Sequence, residues 1–258
     1  MRLGLVVHPG RDHALDFAAR LEREAEKRDI AVGPVSADAD VVVAVGGDGT
    51  MLEALQEGIA RGLPALGFNL GTVGFLTEAE PEGLTSALDA LASGRYTVTE
   101  RMTLEATLSG GARRVAVNDA VIEKIESQRL IVLDLEVDGT HFLTYRADGV
   151  VGATSTGSTA YAFSAGGPLV DPSLDVLLVT PVAPHSLFNR TLVLDPSATL
   201  RCTVTAHRPV LVSVDGVQVG TMEEGDAVRI ERGADPARFV VLEPQSFASR
   251  ITHKFGVD

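Results

Sequence analysis

Val41-Val42-Val43-Ala44-Val45 runs directly into Gly46-Gly47-Asp48-Gly49-Thr50, and a helical stretch follows from Met51 to about Ala60. An unbroken apolar run rich in β-branched residues is typical of a strand that is buried on both faces. The glycines allow a tight turn with close backbone approach. A buried strand, a glycine turn and a helix in succession predict one βα unit of a parallel sheet.

The sequence on both sides of this unit repeats the same alternation. Before it, residues 3–8 form an apolar run, and residues 12–28 carry apolar side chains at helical spacing after Asp12, which is suited to capping. After it, residues 64–68 predict a third strand, and residues 81–91 predict a helix that begins with a proline. We therefore expect residues 1–95 to form an α/β domain with a parallel sheet.

After Gly94 the pattern changes to short strands separated by turn signals. Asp138-Gly139 and Asp215-Gly216 each lie between two apolar runs, which is a strong signal for a β-hairpin. Residues 96–237 are therefore predicted to form an all-β, sandwich-like domain of two packed sheets. Residues 238–258 return to a strand and a helix, and we expect this tail to pack back on the first domain.

The composition disfavours several classes of protein. The 258 residues carry a formal net charge of −13 and only 22 Lys and Arg, so no nucleic-acid partner is expected, because phosphate backbones are held by clustered cations. No apolar run approaches the roughly 20 residues of a membrane span, and the short apolar N-terminus is not typical of a signal peptide. With a single Cys202, which excludes an internal disulfide, these features predict a cytoplasmic protein without a membrane partner.

The segment Gly46–Thr50 is suited to phosphate binding. A glycine turn lets backbone amides approach a phosphate, and the following helix N-terminus adds free N–H groups and a positive dipole end. Asp48 is unusual there, because a carboxylate repels phosphate unless it accepts a proton from an attacking hydroxyl or recruits Mg²⁺. The alternative is a purely structural turn in which Asp48 caps the helix.

A second candidate segment runs from Gly152 to Tyr161 and continues to Pro168. Its spacing resembles the phosphate loop G-x-x-x-x-G-K-[ST], but Ser158 stands where the lysine is required, so a Walker-type nucleotidase is not expected. The remaining hydroxyls, amides and aromatic ring suit ribose hydroxyls, an adenine edge and phosphate oxygens together. A Ser/Thr-rich loop without a ligand is the alternative.

Polar residues also border apolar strands at three other places, namely Asn69 with the turn at 71–75, Asn118-Asp119, and Arg146-Ala147-Asp148-Gly149. Their amide and carboxylate groups can bridge sugar hydroxyls or an amino group, although turn chemistry explains isolated pairs of this kind equally well. The turn after Asn69 closes the third strand. It is expected to line the same carboxyl-end crevice as the Gly46–Thr50 turn.

Motifs of several other enzyme classes are absent from the sequence. Without a G-x-G-x-x-G fingerprint, NAD would not be held as in a Rossmann dehydrogenase. There is no G-x-S-x-G elbow, and the six histidines lack a spacing such as H-E-x-x-H, which weakens serine-hydrolase and zinc-hydrolase interpretations. We assign no metal ligand among the protein side chains.

Taken in order along the chain, these motifs resemble those of the bacterial NAD kinase family. The matching elements are the turn at 46–50, Asn69–Thr77, Asn118-Asp119, Thr156–Tyr161, Ser164–Pro168, Pro184–Leu187 and Asp215-Gly216. A G-G-D-G turn is shared with lipid kinases and phosphofructokinases, whereas the T-G-S-T-A-Y segment points to NAD kinases. The resemblance implies the same two-domain fold, and a homodimer or homotetramer in which a neighbouring subunit helps to complete the NAD site.

The resemblance also implies roles for individual residues. Asp48 is expected to accept the proton of the adenosine ribose 2′-hydroxyl of NAD, while ATP or polyphosphate donates the phosphoryl group with the help of Mg²⁺. The residues expected to contact the nucleotides are Gly46, Gly47, Asp48, Gly49, Thr50, Asn69, Asn118, Asp119, Arg129, Arg146, Asp148, Thr156, Thr159, Ala160, Tyr161, Ala162, Phe163, Ser164 and Gln218.

Two positions depart from the family pattern. Ser155 stands where proline is common, and Glu53 stands where relatives often carry Arg, Lys or His. An acid at position 53 would weaken phosphate attraction or alter the donor preference. Two other functions stay open at this point: a lipid or sugar kinase built on the same turn, and a non-catalytic NADP sensor that would tolerate replacement of Asp48.

Overall fold

The computed structural model describes residues 1–71 and 74–256, and the chain divides into two compact units. Unit 1 comprises Met1–Glu100 and Pro236–Asp258, and unit 2 comprises Arg101–Asp235. The sequence predicts the two boundaries after residues 95 and 237. Within the described residues, no helix is long and apolar enough to cross a membrane.

Unit 1 begins with alternating strands and helices, as predicted. The strands are β1 (Arg2–Val7), β2 (Ala31–Pro34), β3 (Val41–Gly46), β4 (Ala65–Asn69) and β5 (Thr97–Arg101). The helices are α1 (Asp12–Glu26), α2 (Asp48–Arg61) and α3 (Leu84–Ala92), the last preceded by a 3-10 turn at Pro81–Gly83. The predicted capping by Asp12 is wrong: Arg11 is the N-cap and makes no side-chain cap bond, while Asp12 is the first helical residue. An acid there still interacts favourably with the helix dipole.

Unit 2 consists mainly of strands. They are β6 (Leu104–Leu108), β7 (Arg113–Ala116), β8 (Asp119–Lys124), β9 (Ile131–Val137), β10 (Thr140–Ala147), β11 (Gly149–Ala153), β12 (Leu177–Val182), β13 (Leu192–Leu194), β14 (Leu200–Val204), β15 (Val210–Val214), β16 (Val217–Met222) and β17 (Ala227–Arg232). They form two six-stranded sheets in the orders β10-β9-β14-β17-β6-β7 and β13-β12-β11-β8-β15-β16. Buried apolar residues of both sheets, among them Leu104, Leu133, Ile122 and Val150, share one core, so the predicted pair of packed sheets is confirmed.

Both predicted hairpins of unit 2 are confirmed. Asp138 and Gly139 have φ values of 52° and 74°, and Asp215 and Gly216 have values of 48° and 76°. Two consecutive residues with positive φ are what a two-residue hairpin turn requires, and this explains the Asp-Gly pairs. The pattern did not predict the 3-10 turn at Thr156–Thr159 or the short helix α4 (Tyr161–Ser164).

The C-terminal segment returns to unit 1, as expected from the sequence. Strand β18 (Ala237–Val241) pairs in parallel with β4, which gives the sheet order β2-β1-β3-β4-β18-β5. Helix α5 (Phe247–Phe255) follows; the Ser246 side chain accepts a cap bond from the N–H of Ser249, and Gly256 ends the helix in the left-handed conformation.

The sheet of unit 1 positions the glycine turn. All six residues of β3 are buried, and Phe17 of α1 packs against Phe68 of β4 with the ring centroids 5.2 Å apart. Strands β3 and β4 are parallel neighbours, and Gly46 is paired with Asn69. The two turns that follow these strands therefore leave the same edge of the sheet, which is where open α/β sheets bind ligands.

Candidate functional site

Asp48 is the first residue of α2 and holds the turn that follows β4. Its Oδ2 accepts a hydrogen bond from the N–H of Phe75 at 2.9 Å, and its Oδ1 accepts one from the N–H of Leu76 at 3.1 Å. Gly47 is the N-cap residue of α2, so Asp48 does not cap its own helix. The carboxylate is partly exposed and fixed at both oxygens. Each oxygen keeps a further lone pair for another donor.

Two glycines allow this arrangement. A Cβ on Gly74 would lie 2.2 Å from Oδ1 of Asp48, and a Cβ on Gly46 would lie 2.2 Å from Oγ1 of Thr50. At Gly47 and Gly49 a Cβ would meet no atom of the described structure within 4 Å. Gly46 and Gly74 are therefore required for close packing, whereas the backbone at Gly47 and Gly49 is open to a ligand.

Asn69, expected to contact the nucleotide, is 2% exposed and uses its side-chain amide inside unit 1. Its Nδ2 donates to Oε1 of Glu80 at 3.2 Å, and its Oδ1 accepts from the N–H of Gly71 at 3.3 Å. These bonds hold both ends of the turn after β4. Thr72 and Val73, in the middle of the predicted glycine turn, lie outside the described residues.

A second carboxylate that accepts hydrogen bonds from consecutive backbone N–H groups lies in unit 2. We call each of these two arrangements, at Asp48 and at Asp215, a carboxylate clamp. Oδ2 of Asp215 accepts from the N–H of Val117 at 2.8 Å, and Oδ1 accepts from the N–H groups of Asn118 and Asp119 at 2.8 and 3.2 Å. The N–H of Asp215 donates to the carbonyl of Asp119 at 2.9 Å. This fixes the bend that carries Asn118 and Asp119. From the sequence, only a hairpin is predicted at Asp215. The same Asp-Gly pair occurs at Asp138, so the pair by itself does not indicate these hydrogen bonds.

The side chains of Asn118 and Asp119 keep hydrogen-bonding atoms that are available to a ligand. Oδ1 of Asn118 is buried, and no partner for it is found in the described part of the chain. Asp119 is 5% exposed, and its burial, with a contribution from the negative Asp215, raises its pKa to about 7. The N–H of Tyr161 opposes this shift by hydrogen bonding to the carboxylate. Buried polar groups without partners are costly, so a ligand that satisfies them would bind with a clear gain.

The hydroxyl-rich segment mostly stabilises its own fold. Oγ1 of Thr154 donates to the carbonyl of Val117 at 2.7 Å and accepts from the N–H of Gly157 at 3.0 Å, while Oγ1 of Thr159 donates to the carbonyl of Thr156 at 3.1 Å. The hydroxyls of Ser155 and Ser158 donate to the carbonyls of Leu174 and Val170. These four hydroxyls thus each donate to a backbone carbonyl, and what they can still offer a ligand is acceptor capacity.

The segment instead presents backbone and aromatic groups. A Cβ on Gly157 would lie 2.1 Å from the carbonyl oxygen of Asn118, so the loop is packed directly against the clamped bend. The rings of Tyr161 and Phe163 are 37% and 39% exposed, Ser164 is exposed, Ala160 is partly exposed and Ala162 is buried. Exposed rings beside buried hydrogen-bonding groups suit a planar base.

The other residues predicted to contact the nucleotides lie at the surface or form an ion pair. Arg129, Arg146 and Gln218 are exposed. Asp148 forms an ion pair with Lys124, with Oδ1 and Nζ 2.6 Å apart. Lys124 was not predicted, and no linear motif marks it, because it joins Asp148 only through the antiparallel register of β8 and β11, in which Glu123 faces Gly149.

The two units thus offer different chemistry. Unit 1 provides a fixed, partly exposed carboxylate beside a glycine turn, which suits proton transfer and phosphate approach. Unit 2 provides a buried acid, an unpartnered amide oxygen and exposed rings, which suit a nucleoside. Across residues 1–71 and 74–256, no group of three or more His, Cys, Asp or Glu side chains could hold a metal ion.

Comparison with known proteins identifies similar chains. Residues 33–96 match the family described as the ATP-NAD kinase N-terminal domain, and residues 117–242 match the ATP-NAD kinase C-terminal domain. The NAD kinase of Moorella thermoacetica is 41% identical over 222 residues, which cover 84% of this chain and 71% of that protein. The NAD kinase of Natranaerobius thermophilus is 32% identical over 276 residues, which cover 98% of this chain and 96% of that protein.

Two solved structures are similar over nearly the whole chain. An NAD kinase from Archaeoglobus fulgidus in complex with ATP has a TM-score of 0.81 and 29% identity, covering 99% of this chain and 98% of that one. Yeast NADH kinase complexed with NADH has a TM-score of 0.86 and 25% identity, covering 100% of this chain and 88% of that one.

Proposed function

The chain belongs to the NAD kinase family and phosphorylates NAD to NADP, and from that premise we propose that Asp48 is the general base of the reaction. The 2′-oxygen of the adenosine ribose forms a bond to the terminal phosphorus of the donor, and the bond from that phosphorus to the bridging oxygen breaks. The 2′-hydroxyl proton passes to the Asp48 carboxylate. Positioning and electrostatics carry most of such catalysis.

The fixation of Asp48 carries this proposal. A carboxylate that hydrogen bonds to two consecutive backbone N–H groups, from Phe75 and Leu76, keeps one orientation without help from a ligand. A general base must lie within hydrogen-bond reach of the proton that it removes, so a preset orientation lowers the cost of reaching the reactive geometry. Its partial exposure leaves room for the hydroxyl.

We assign the adenosine to the clamped bend of unit 2. The buried Oδ1 of Asn118 can accept a hydrogen bond from an amino group or a hydroxyl, and the carboxyl of Asp119 can accept or donate according to its protonation. The exposed Tyr161 ring offers a stacking surface. Arg129, Arg146, Asp148 and Gln218 are proposed contacts on the grounds of the family resemblance.

The donor is proposed to be ATP, or polyphosphate, bound as its Mg²⁺ complex. Mg²⁺ is commonly held by substrate phosphates and few side chains, so the donor's phosphates are proposed to carry the ion. When bound, the ion would offset charge on the transferred group. The open backbone at Gly47 and Gly49, at the start of α2, is proposed to receive the phosphates.

We also propose a cytoplasmic homodimer or homotetramer. The exposed apolar side chains of unit 2 include Leu187 and the edge-to-face pair of Phe142 and Phe188, whose ring centroids are 5.4 Å apart. Exposed apolar patches of this kind are commonly covered by a protein partner. Sedimentation equilibrium of the purified chain tests this, and a monomer at every concentration would contradict it.

The catalytic proposal is tested with the purified chain, NAD, and either ATP–Mg²⁺ or polyphosphate–Mg²⁺, with NADP measured as the product. The Asp48→Asn variant is expected to bind NAD while losing about 10²–10⁴-fold in kcat, the usual contribution of a general base. Near-native turnover in a folded Asp48→Asn variant would reject the role of Asp48 and leave the family activity in place.

A further inference from the structure

Helix α5 contacts the loop that holds Asp48. The whole of α5 lies within the described residues, and none of its side chains is fully buried. Its apolar side chains Phe247 and Ile251 are partly buried and supply part of its stabilisation. Specific side-chain contacts also contribute to the position of α5.

Three of these contacts reach residues 75–78. Nη2 of Arg250 lies 2.6 Å from Oε2 of Glu78, with the two side chains only 19% and 9% exposed. The ring of Phe255 packs against that of Phe75, with the centroids 6.0 Å apart, and Nζ of Lys254 lies 5.3 Å from the centroid of the Phe75 ring. Solvent screens the attraction between these two charges less than it screens a surface pair.

The same short segment supplies the N–H groups that orient Asp48. The N–H of Phe75 donates to Oδ2 of Asp48, and three residues later the N–H of Glu78 donates to the carbonyl of Gly67 in β4 at 3.1 Å. Phe75 is thus held by Asp48 on its backbone and by α5 on its ring. Glu78 is held by β4 on its backbone and by Arg250 on its carboxylate.

Beside these contacts lies a pocket of about 420 Å³, lined by Gly74, Thr77 and Glu80 on the loop side and by Ser249 and His253 on the helix side. Close packing normally fixes the position of a segment, and a pocket of this size reduces the packing between the described parts of the loop and the helix. The contacts of Arg250 and Phe255 therefore limit how far the loop can move away from Asp48.

We propose that Arg250 and Phe255 are positioning residues, through which the C-terminal helix holds the loop at residues 75–78 in the place that orients the Asp48 carboxylate. This inference rests on the proposed function of Asp48 as the general base. Neither side chain touches the reacting atoms. Their effect passes through Glu78 and Phe75 to the two N–H groups.

The test uses the full-length chain and compares Arg250→Met with Arg238→Met. Arg238 is a matched control, because it also belongs to the C-terminal segment and pairs with an acid of unit 1. Its Nε lies 2.9 Å from Oε1 of Glu100, which is outside the loop at 75–78. Arg250→Met is expected to lower kcat by about 10- to 100-fold, since a displacement of about 1 Å at a catalytic group costs on the order of 10²-fold. KM for NAD and for ATP should stay within about twofold.

Two further measurements separate positioning from general damage. In the Asp48→Asn background, Arg250→Met should lower the residual rate no further, because residues that act through one group are not additive. Arg250→Lys keeps the charge pair with Glu78 and should recover most of the rate. If Arg250→Met does not fold, Phe255→Leu carries the same test through the Phe75 ring.

The outcomes distinguish the two ideas. A rate for Arg250→Met equal to that of Arg238→Met, with Asp48→Asn inactive, would overturn the positioning role and leave Asp48 as the base. A raised KM for ATP at unchanged kcat would also overturn it, and would assign Arg250 to the donor. An active Asp48→Asn variant would instead remove the proposed function itself.

Discussion

Asp48 in unit 1 and Asp215 in unit 2 are held in the same way, each carboxylate accepting hydrogen bonds from consecutive backbone N–H groups. They differ in what the hydrogen bonds fix. At Asp48 the loop at 75–76 orients the carboxylate itself, which stays partly exposed. At Asp215 the carboxylate orients the bend at 117–119, so that Asn118 and Asp119 are the groups presented. One pattern of hydrogen bonds thus fixes the proposed general base in one unit and the proposed adenosine-binding segment in the other.

This difference has a kinetic consequence. Damage to the Asp48 clamp should lower kcat, because it misplaces the proposed general base, which would act in the transition state. Damage to the Asp215 clamp should mainly raise KM for NAD, because it disturbs binding that is common to the ground state and the transition state. A variant of either clamp with the opposite signature would contradict the assignment of that unit.

The largest expected effect is a change of stability with pH that comes from the buried acid of unit 2. The pKa of Asp119 is raised from the ordinary 3.8 to about 7 by burial and by Asp215, so between these values the folded state binds more protons than the unfolded state. Stability is then lost as the pH rises from about 4 to about 7, by up to about 4 kcal/mol. Asp119→Asn removes this loss, so its advantage in urea unfolding over the native chain should grow with pH and level off above about pH 7.

An exposed acid of the same unit provides the control. Asp235→Asn also removes one carboxylate, so the pH dependence of Asp119→Asn is measured against that of this variant. A constant difference for Asp119→Asn between pH 5 and pH 8 would show that Asp119 is ionised in the folded state as easily as in the unfolded one. The pH dependence of stability would then not come from the buried acid of unit 2.

The next effect tests the Asp48 clamp by adding a methyl group beside the carboxylate. Gly74→Ala would place a methyl group 2.2 Å from Oδ1 of Asp48 and 2.7 Å from Oγ1 of Thr77, so the carboxylate or the loop must move. We expect kcat to fall by about 10²-fold, with a loss of about 1–3 kcal/mol in stability from overpacking. Gly83→Ala, where a Cβ meets no described atom within 4 Å, should keep native kinetics. Native kcat in a folded Gly74→Ala variant would show that the orientation of Asp48 is not critical.

A smaller effect is expected at the Asp215 clamp. Asn tolerates the left-handed backbone at this position but offers one acceptor oxygen to three N–H groups, so Asp215→Asn leaves backbone donors unsatisfied. We expect KM for NAD to rise by about 10-fold, kcat to change little, and stability to fall by about 1–3 kcal/mol. Steady-state kinetics and urea unfolding check both.

The other Asp-Gly hairpin is the matched control for Asp215. Asp138 has the same left-handed backbone, and its Oδ1 accepts from a single N–H, that of Thr199, at 2.8 Å. Asp138→Asn should therefore leave KM for NAD unchanged. An equal rise in KM for both variants would mean that hairpin stability, not the clamp on Asn118 and Asp119, is responsible.

The fold was largely predictable because its signals are local. The strand, glycine turn and helix at 41–61 and the two Asp-Gly hairpins depend on neighbouring residues and on backbone conformations that few residue types adopt. The helical turns at Thr156–Ser164 were not predicted, because four-residue helices have no room for a hydrophobic period. The insertion of β18 between β4 and β5 depends on pairing across more than a hundred residues.

The site was predictable in its motifs but not in its contacts. Asp48 could be selected as a candidate because it follows a buried strand in a glycine turn, and Asn118-Asp119 because the pair borders an apolar strand. The partners of Asp48 at 75–76 and of Asp215 at 117–119 lie far away in sequence, and Lys124 meets Asp148 only through strand register. A local pattern shows that a carboxylate is present and does not show which N–H groups it accepts from.

The smallest expected effect concerns Glu53, an exposed acid in the second turn of α2, where the family resemblance implies a basic residue. If the phosphates bind at the start of α2, replacing Glu53 by Lys changes the nearby charge by two units without touching the clamp. An exposed charge acts on a phosphate through solvent, so we expect KM for ATP to fall by only about two- to fivefold at low salt, and by less at high salt. Glu53→Gln should give about half of that effect on a logarithmic scale. A change in kcat, or an effect on KM that does not depend on salt, would show that Glu53 acts by contact and not by charge. An unchanged KM for ATP at low salt would contradict the proposal that the donor's phosphates bind at the start of α2.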